Sequence, residues 1–547
     1  MASKQEPAEK AGSVSSVDAC AVITQRAVTT YTWEKWVPGP SASYCFKGLS
    51  PVGARAGFAG CGCIIFILSG YNTSLFGSVS SVDSYREIVG LGSGSSHDSV
   101  ILGIISASYW LGVIAGALFC GWISDLVGRR KTIVCFCILG LVVVPLLTAL
   151  ENFAWALVLR ILNGAVTGAL DSATLTWSAE TTHHKRRGRA IAMELAVSAY
   201  GAGFAYFSVY GLTSEYSSTV VWRLPIAIQL ILIFITLALI WFLPESPRWL
   251  IKMGRVSEVH EVLKTLSSFD QDDEGRSETG AIQSTVESIE HALDVERQFE
   301  ASSNYFTILF RPDRFSTPRR SWTALFIQFS AQFLVGGGLI AAYGISVFET
   351  GGWPARTATL LTGVTFVVVA TSGMIGAIFF ADRLGRRNTF ACGALIGGIL
   401  TILIGVCALY VSHYSETDNA LSKRYSIGVV ALQFIWGVNF GLTWLWCAFL
   451  YPAEIFPTES RSMGSALSVI GFALGAFTCN EVGSYIYNAI TYKAFFIFGS
   501  LSVLVGVICW FLVLETKNKT LEDVNNLYGK VDKSIAGERP QDGGNTL

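Results

Sequence analysis

The chain has 547 residues, of which 51% are hydrophobic and only 14% are charged, and its formal net charge is −1 at pH 7. Soluble domains carry about a quarter of charged residues, so this composition excludes an ordinary water-soluble protein. The near-zero net charge also argues against a basic nucleic-acid-binding protein, and we expect no nucleic-acid partner. The lipid bilayer is the expected environment of most of the chain.

Twelve apolar segments recur along the chain, each close to the ~20 residues that a helix needs to cross ~30 Å of hydrocarbon. We number them spans 1 to 12 in chain order. They lie near 55–78, 99–124, 132–150, 153–177, 188–212, 221–243, 320–349, 357–380, 389–411, 426–451, 462–486 and 493–514. The predicted fold class is an all-α membrane protein with twelve transmembrane helices in two pseudo-symmetric, six-helix halves.

The polar segments divide the chain and indicate its orientation. The predicted parts are an N-terminal tail (1–54), a first half (55–243), a linker with short helices (244–319), a second half (320–514) and a C-terminal tail (515–547). Arginine and lysine concentrate in the short loops on one side of the predicted bundle. The positive-inside rule places that side, and with it both termini, in the cytoplasm.

Three features of the first half recur in the same order in the second half. The repeated positions are Asp125 and Asp382, which open DLVGRR and DRLGRR; Glu180 and Glu454, each seven residues before Arg187 or Arg461; and Glu245 and Glu515, which follow spans 6 and 12. Their separations of 257 to 274 residues indicate two duplicated units. Duplicated six-span halves are typical of transporters that hold the substrate near the bilayer midplane.

Seven motifs give the chain a resemblance to the sugar porter family of the major facilitator superfamily, in its fungal hexose and lactose-permease-like branch. They are GWISDLVGRRK (121–131), RILNGAVTG (160–168), WSAETTHHKRRGRA (177–190), PESPRWL (244–250), DRLGRR (382–387), YPAEIFPTESR (451–461) and ETKNKTLEDV (515–524). The resemblance covers nearly all of 55–525. It implies a carrier that moves a sugar or similar small solute by alternating access, without a cofactor.

The cytoplasmic motifs predict a set of gating residues. Acidic and basic side chains recur together at helix ends, where charge-assisted contacts are strong and can hold one face of a carrier closed. An alternative is that the arginines only set the topology. The predicted gating residues are Asp125, Arg129, Arg130, Glu180, Arg187, Glu245, Arg248, Asp382, Arg386, Arg387, Glu454, Arg461 and Glu515.

Charged residues inside the spans predict how transport is energised. Arg160 lies about seven residues into span 4, and a membrane-buried charge is usually functional. In proton-coupled relatives the matching arginine pairs with an acid in span 1, but this chain has Asn72 there, which cannot titrate. We therefore expect facilitated diffusion. Asp171 and Glu194 are the alternative acids for proton coupling, and Asp171 should share the face of Arg160 about 16 Å further along the helix.

The family's sugar-binding positions depart from the family pattern in this chain. The register places apolar side chains where relatives carry amides, and it leaves one glutamine and one tyrosine in span 7. The predicted substrate-binding residues are Gln332, Tyr343, Asn72, Phe333, Gly338, Phe449, Leu195 and Phe472. A buried hydroxyl without a partner costs a few kcal/mol, so this cavity predicts weak glucose transport and a less hydroxylated solute.

Two further interpretations stay open at this point. One is a carrier or exporter of a less polar metabolite or organic acid, coupled to protons through Asp171. Another is a non-transporting nutrient sensor. An enzyme is not expected, because no clustered metal ligands or nucleophile with its base are visible in the sequence. We expect no metal, possible coupling to protons, a functional monomer and a multi-pass location in the plasma membrane.

Overall fold

The computed structural model describes residues 51–91, 96–182, 187–215, 219–267, 278–300, 305–311, 316–380, 383–456, 460–517, 519, 523–524 and 526–528. Within these residues the chain is all-helical, and twelve helices are long and apolar enough to cross a membrane. The predicted twelve-span fold is therefore confirmed. Helices dominate because a backbone in hydrocarbon must satisfy its hydrogen bonds internally.

The first half contains six continuous spans. They are span 1 (Pro51–Val79), span 2 (Ser96–Val127), span 3 (Arg129–Thr148), span 4 (Phe153–Thr181), span 5 (Arg187–Glu215) and span 6 (Val220–Trp241). A short helix, Asp83–Ile88, lies between spans 1 and 2. Span 4 begins with a capped turn, because the Asn152 side chain accepts a hydrogen bond from the Trp155 N–H.

The second half contains six spans, three of which include a π-helical turn. Span 7 runs through Thr317–Phe329, the π-turn Ser330–Leu334 and Gly337–Thr350; span 8 through Ala355–Ile375 and the π-turn Gly376–Phe380; and span 10 through Asn419–Phe440, the π-turn Gly441–Leu445 and Trp446–Ile455. The others are span 9 (Arg386–Tyr414), span 11 (Arg461–Ile490) and span 12 (Lys493–Leu512).

The packing of the spans repeats between the halves. Spans 1 and 5, 2 and 4, and 3 and 6 pack together in the first half, as spans 7 and 11, 8 and 10, and 9 and 12 do in the second. The halves join mainly where span 2 meets span 11 and span 5 meets span 8. These two junctions are equivalent in the repeat, so the halves face each other across a pseudo-twofold relation.

The linker forms a small helical layer on one face of the bundle, which we name the linker face. Its helices are Pro247–Lys252, Val256–Ser267, Glu278–Glu300 and Tyr305–Phe310. Trp249, Val259 and Ile282 belong to an apolar core that these helices share. Arg55 at the start of span 1 donates a 2.6 Å hydrogen bond to the Leu266 carbonyl, which ties the layer to the first half.

Candidate functional site

A central cavity lies between the two halves and takes its lining from both. It holds about 1140 Å³ of empty space, counting the part open to solvent. Spans 1, 2, 4 and 5 line it from the first half, and spans 7, 8, 10 and 11 from the second. A cavity at the junction of duplicated halves is where a carrier of this architecture holds its solute.

Half of the predicted substrate-binding residues line the central cavity. Leu195 and Gln332 approach from spans 5 and 7, and Phe449 and Phe472 from spans 10 and 11. Phe449 and Phe472 also pack against each other, with ring centroids 5.2 Å apart. The structure therefore brings together one amide and three apolar side chains from four different spans.

The other four predicted substrate-binding residues lie outside the central lining. Asn72 belongs to a buried amide network: its oxygen accepts from Asn163 at 3.1 Å, and its nitrogen donates to Thr167 at 3.3 Å. Phe333 packs against Phe498 of span 12. Gly338 lies against the Gln332 side chain, and Tyr343 donates its hydroxyl to the Asn480 carbonyl at 2.5 Å.

Asp171 and Gln332 are polar side chains of the central cavity with groups available to a solute, and the Ser74 hydroxyl of the same lining is also buried without a hydrogen bond among the described residues. Asp171 accepts a 2.6 Å hydrogen bond from the Ser69 hydroxyl through one oxygen, and its other oxygen is buried without a hydrogen bond among the described residues. Within the same part of the chain, the Gln332 amide makes no hydrogen bond. An unpaired acceptor and a free amide in a mostly apolar wall are groups that orient a small ligand.

Sequence reasoning missed several residues of the central cavity. Ser69 lies about five turns into span 1, and Trp110 and Trp444 line the cavity from spans 2 and 10. The Trp444 indole N–H is already used, because it donates to the Phe390 carbonyl at 3.2 Å. A signal existed for Trp444, which stands ten residues before the motif residue Glu454, but none marked Ser69.

Arg160 does not pair with Asp171. Its guanidinium lies between two aromatic rings, 3.7 Å from the Phe76 centroid and 4.6 Å from that of Tyr109. Two of its nitrogens, Nε and Nη1, are buried without a hydrogen bond among the described residues. Aromatic faces attract a cation, so the two rings stabilise this charge where an acid is absent.

Glu194 is buried where spans 1, 4 and 5 meet, and it does not line the central cavity. One of its oxygens accepts a 2.7 Å hydrogen bond from the Ser178 hydroxyl. A Cβ atom built on Gly62 would come within 2.7 Å of the same oxygen. The carboxyl group thus fills a gap left by a glycine in span 1.

A second cavity, which we name the distal cavity, lies near the face opposite the linker. It holds about 1210 Å³ of empty space, counting the part open to solvent, and Arg160 belongs to its lining. Thr73 and Trp110 line both cavities, so the two are adjacent. The two charged residues of span 4 therefore face different spaces. Asp171 faces the central cavity and Arg160 faces the distal cavity.

A contact between spans 1 and 7 narrows the route between the cavities. A Cβ atom built on Gly77 would lie 2.7 Å from the Ala341 carbonyl oxygen, so only glycine permits this approach. Tyr206 of span 5 donates a 2.9 Å hydrogen bond to the same carbonyl. Span 7 bends on both sides of it, at Gly336 (φ 102°) and at Tyr343, whose φ and ψ of −127° and 19° are not helical.

A charged cluster joins spans 2, 3, 4 and 6 at the linker face. Arg129 contacts Asp125 at 2.9 Å and donates to Glu180 at 3.0 Å. Glu180 also accepts a 2.5 Å hydrogen bond from Ser246, in the segment after span 6. Arg130 donates its side chain to the carbonyls of Ile240 and Trp241.

The same cluster recurs in the second half. Arg386 donates to Glu454 at 2.6 and 3.0 Å, and Thr516 donates to Glu454 at 2.6 Å. Glu515 accepts from the backbone N–H groups of Arg386 and Arg387, and Arg387 donates its side chain to the Trp510 carbonyl. Glu180 and Glu454 make all these hydrogen bonds within their own half, so each cluster fastens one half together.

Glu245 is the buried anchor of the first cluster. It accepts from the backbone N–H groups of Arg130 at 3.0 Å and Ser246 at 3.1 Å. Burial raises the pKa of its carboxyl above the ordinary 4.5, and these hydrogen bonds and the charges of Arg129 and Arg130 oppose the rise.

The remaining predicted gating residues are placed only in part. Arg248 lies half-buried on the helix Pro247–Lys252. Spans 5 and 11 begin at Arg187 and Arg461, but those two side chains, and all of Asp382, lie outside the described residues. In the part of the chain that the structure describes, no group of three His, Cys, Asp or Glu could hold a metal ion.

The amino-acid sequence is similar to those of known transporters. The family described as "Sugar (and other) transporter" matches residues 59–528. The chain is 26% identical over 478 residues to Sugar transporter STL1 of Saccharomyces cerevisiae, covering 85% of this chain and 79% of that one. It is 28% identical over 478 residues to the high-affinity glucose transporter ght2 of Schizosaccharomyces pombe, covering 85% of each.

A solved structure shares the fold. The major facilitator proton:xylose symporter XylE, bound to 6-bromo-6-deoxy-D-glucose, superposes with a TM-score of 0.70 at 20% sequence identity. The alignment covers 87% of this chain and 99% of that one.

Proposed function

Because the chain belongs to the sugar (and other) transporter family and has the major facilitator fold, we propose that it moves a sugar or similar small solute by alternating access. It is a multi-pass membrane carrier and not an enzyme. The linker face, with both termini, is the cytoplasmic face, since the basic loops gather there. The carrier works as a monomer in the plasma membrane.

The observation that carries this proposal is the central cavity, which both halves line. The contact between Gly77 of span 1 and the Ala341 carbonyl of span 7 narrows the route from this cavity to the distal cavity. Each linker-face cluster makes one half a rigid body. Rocking of the halves, with opening of the contact between spans 1 and 7, would expose the cavity first to one side and then to the other. Gln332 and Asp171 are the groups that would orient the solute.

The lining of the cavity limits which sugars bind well. Leu195, Phe449 and Phe472 present no hydrogen-bonding groups, while a hexose carries five hydroxyl groups that need partners when water is excluded. The substrate is therefore a less hydroxylated sugar or polyol, and glucose is a poor one.

The test is uptake by a transporter-deficient cell that expresses the chain, with a panel of hexoses, disaccharides, polyols and organic acids. We expect saturable uptake of at least one sugar or polyol and weak uptake of glucose. Robust glucose uptake at sub-millimolar concentration would contradict the argument from the cavity lining. Uptake of organic acids alone would contradict the sugar carrier.

Transport is facilitated diffusion. Asn72, which stands where proton-coupled relatives carry an acid, cannot bind or release a proton, and its amide accepts from Asn163 and donates to Thr167. Arg160 has aromatic rings rather than a carboxylate as neighbours. Asn72 and Arg160 therefore do not form the acid–arginine pair that takes up the proton in proton-coupled relatives.

Proton coupling through Asp171 is the second candidate, favoured by the buried carboxyl oxygen that lacks a hydrogen bond in the central cavity. The two are separated by accumulation of the identified substrate in vesicles with an imposed pH difference. Facilitated diffusion predicts no accumulation above the external concentration. Accumulation that a protonophore abolishes, and that disappears in Asp171→Asn but not in Asn72→Ala, would establish the second candidate.

A further inference from the structure

The two cavities differ in chemistry in a way that the transport cycle alone does not require. The central cavity offers few polar groups, as described above. The distal cavity carries two arginines, two acids, four serines and an asparagine among its lining residues. These are Arg86, Arg160, Asp98, Glu349, Ser80, Ser81, Ser106, Ser346 and Asn480.

We propose that the distal cavity is a second binding site, which takes the same class of polyhydroxylated solute as the carrier transports. The inference rests on the proposed function. A polyhydroxylated solute needs donors and acceptors at close spacing, because each of its hydroxyls both donates and accepts hydrogen bonds. Both linings supply both kinds of group, but charged side chains are more numerous in the distal one, which has two arginines and two acids where the central lining has Asp171.

The acceptors of the distal cavity are in place in this structure. The hydroxyls of Ser80 and Ser81 donate to the carbonyls of Gly77 and Ser78, at 3.1 and 2.7 Å, so their oxygens can still accept. Glu349 is exposed at the end of span 7, where the charge of Arg86 acts on it. Ser80 and Ser81 lie just after span 1, and Glu349 lies at the end of span 7.

The donor side of the distal cavity rests on Arg160. This residue is 2% exposed, and two of its nitrogens have no hydrogen bond among the described residues. The rings of Phe76 and Tyr109 pack against the guanidinium, and Nε and Nη1 are the donors that it can still offer. Buried polar groups normally have partners, so an unpartnered guanidinium beside a polar cavity points to a ligand that supplies them.

The closed contact between spans 1 and 7 makes the distal site separable from the central one. With Gly77 seated against the Ala341 carbonyl, a solute in the distal cavity has not yet reached Gln332 or Asp171. A capture site of this kind concentrates solute at the entrance and leaves selection to the sparsely polar central cavity.

The test is solute protection of a cysteine placed in the distal cavity. Ser346→Cys is combined with Gln332→Ala and Asp171→Ala, which remove these two central polar groups, and is labelled with a membrane-impermeant thiol reagent. The chain without Ser346→Cys gives the background from its native cysteines. The probe is the sugar or polyol that the uptake panel identifies, or the smaller polyol erythritol if the panel identifies none.

We expect the solute to slow labelling at least twofold in the triple variant. Added Glu349→Ala, which removes an acceptor, should weaken this protection, while Glu416→Ala, at an exposed glutamate outside the lining, should not. Protection that occurs only with Gln332 and Asp171 intact would overturn the second site, because it would arise from occupancy of the central cavity. Absence of protection in every variant would overturn it as well. Failure of the proposed function is distinguished by the uptake panel, which is measured on the unmodified chain.

Discussion

The two halves are nearly alike at the linker face and clearly different inside the membrane. At the linker face, Arg129 and Glu180 in the first half correspond to Arg386 and Glu454 in the second, with the same partners and similar distances. Inside the membrane the first half carries Arg160, Asp171 and Glu194 on continuous helices. The second half relies on amides such as Gln328 and Gln332, and its span 7 is bent.

This difference separates the contacts that hold each half together from the residues that we propose contact the solute. The clusters join helix ends that must stay together in any carrier of this architecture, so both halves retain them. We propose that the membrane interior contacts the solute and the moving gate, and that the halves have different tasks there. Span 1 is one continuous helix, whereas span 7 bends on both sides of Ala341, and we infer that span 7 provides the moving part.

The largest expected effect comes from removing the glutamate that occupies the same position in both linker-face clusters. Glu180→Ala would leave Arg129 buried without its main acidic partner, which typically destabilises by about 3–5 kcal/mol. Because the Glu454 side chain is 24% exposed against 9% for Glu180, Glu454→Ala should cost less. Thermal unfolding of the purified carrier in detergent, with exposed Glu151→Ala as the control, measures both. A larger loss in Glu454→Ala would contradict the comparison of burial.

The next effect tests the difference between spans 1 and 7. Gly77→Val places a branched side chain against the Ala341 carbonyl, and such overpacking costs about 1–3 kcal/mol. We expect the closed contact to become at least about fivefold less populated and the transport rate to fall with it. Gly60→Val, on the same helix where a Cβ atom would meet nothing within 4 Å, is the matched control. Equal transport by both variants would show that this contact is not a gate.

A moderate effect is expected at the amide of the second half. Gln332→Ala removes one hydrogen bond to the solute, worth about 1 kcal/mol, so the solute should bind roughly fivefold more weakly. Gln433→Ala removes an amide that lines a different, small cavity and should leave affinity unchanged. Concentration dependence of uptake gives both values. Unchanged affinity in Gln332→Ala would remove this residue from the site.

The smallest effect concerns pH and the buried anchor of the first cluster. Because burial raises the pKa of Glu245, the folded protein binds more protons than the unfolded chain between the ordinary value of 4.5 and the raised value. Stability therefore falls as the pH rises through that interval. Glu245→Gln should remove this part of the pH dependence while its oxygen still accepts from Arg130 and Ser246.

The measurement is the melting temperature as a function of pH for the wild type and for Glu245→Gln. The matched variant is Glu515→Gln, at the repeated position, where the side chain is half-buried. A wild-type protein that gains stability relative to Glu245→Gln as the pH rises would contradict the sign of the effect.

The sequence predicted the spans and the repeat because both depend on local patterns. Apolar length marks a span, and the spacing of Glu180 and Glu454 marks the clusters, whose contacts join helix ends close to the motifs. That these clusters fasten each half internally was not predictable, since motif spacing says nothing about which half a partner belongs to.

The central cavity was predictable only in part from helix register. Leu195 and Phe472 lie on regular helices and line the cavity, as the register indicated, and Phe449 lines it although it follows the π-turn of span 10. In the π-turn of span 7, Gln332 lines the cavity while the neighbouring Phe333 packs against Phe498, and Gly338 follows a left-handed glycine and lies outside the lining. Asn72 lies outside the cavity lining and hydrogen-bonds with Asn163 and Thr167 of span 4. No local sequence pattern reveals these partners on another helix.

Counterflow in proteoliposomes tests most directly whether the central cavity carries a solute by alternating access. Vesicles that contain the purified chain are loaded with an unlabelled sugar or polyol and then exposed to a trace of the labelled compound. The account predicts transient accumulation of label for at least one compound, with a weaker response in Gln332→Ala and an unchanged one in Gln433→Ala. Absence of counterflow for every sugar and polyol, from a protein that unfolds cooperatively on heating, would contradict it.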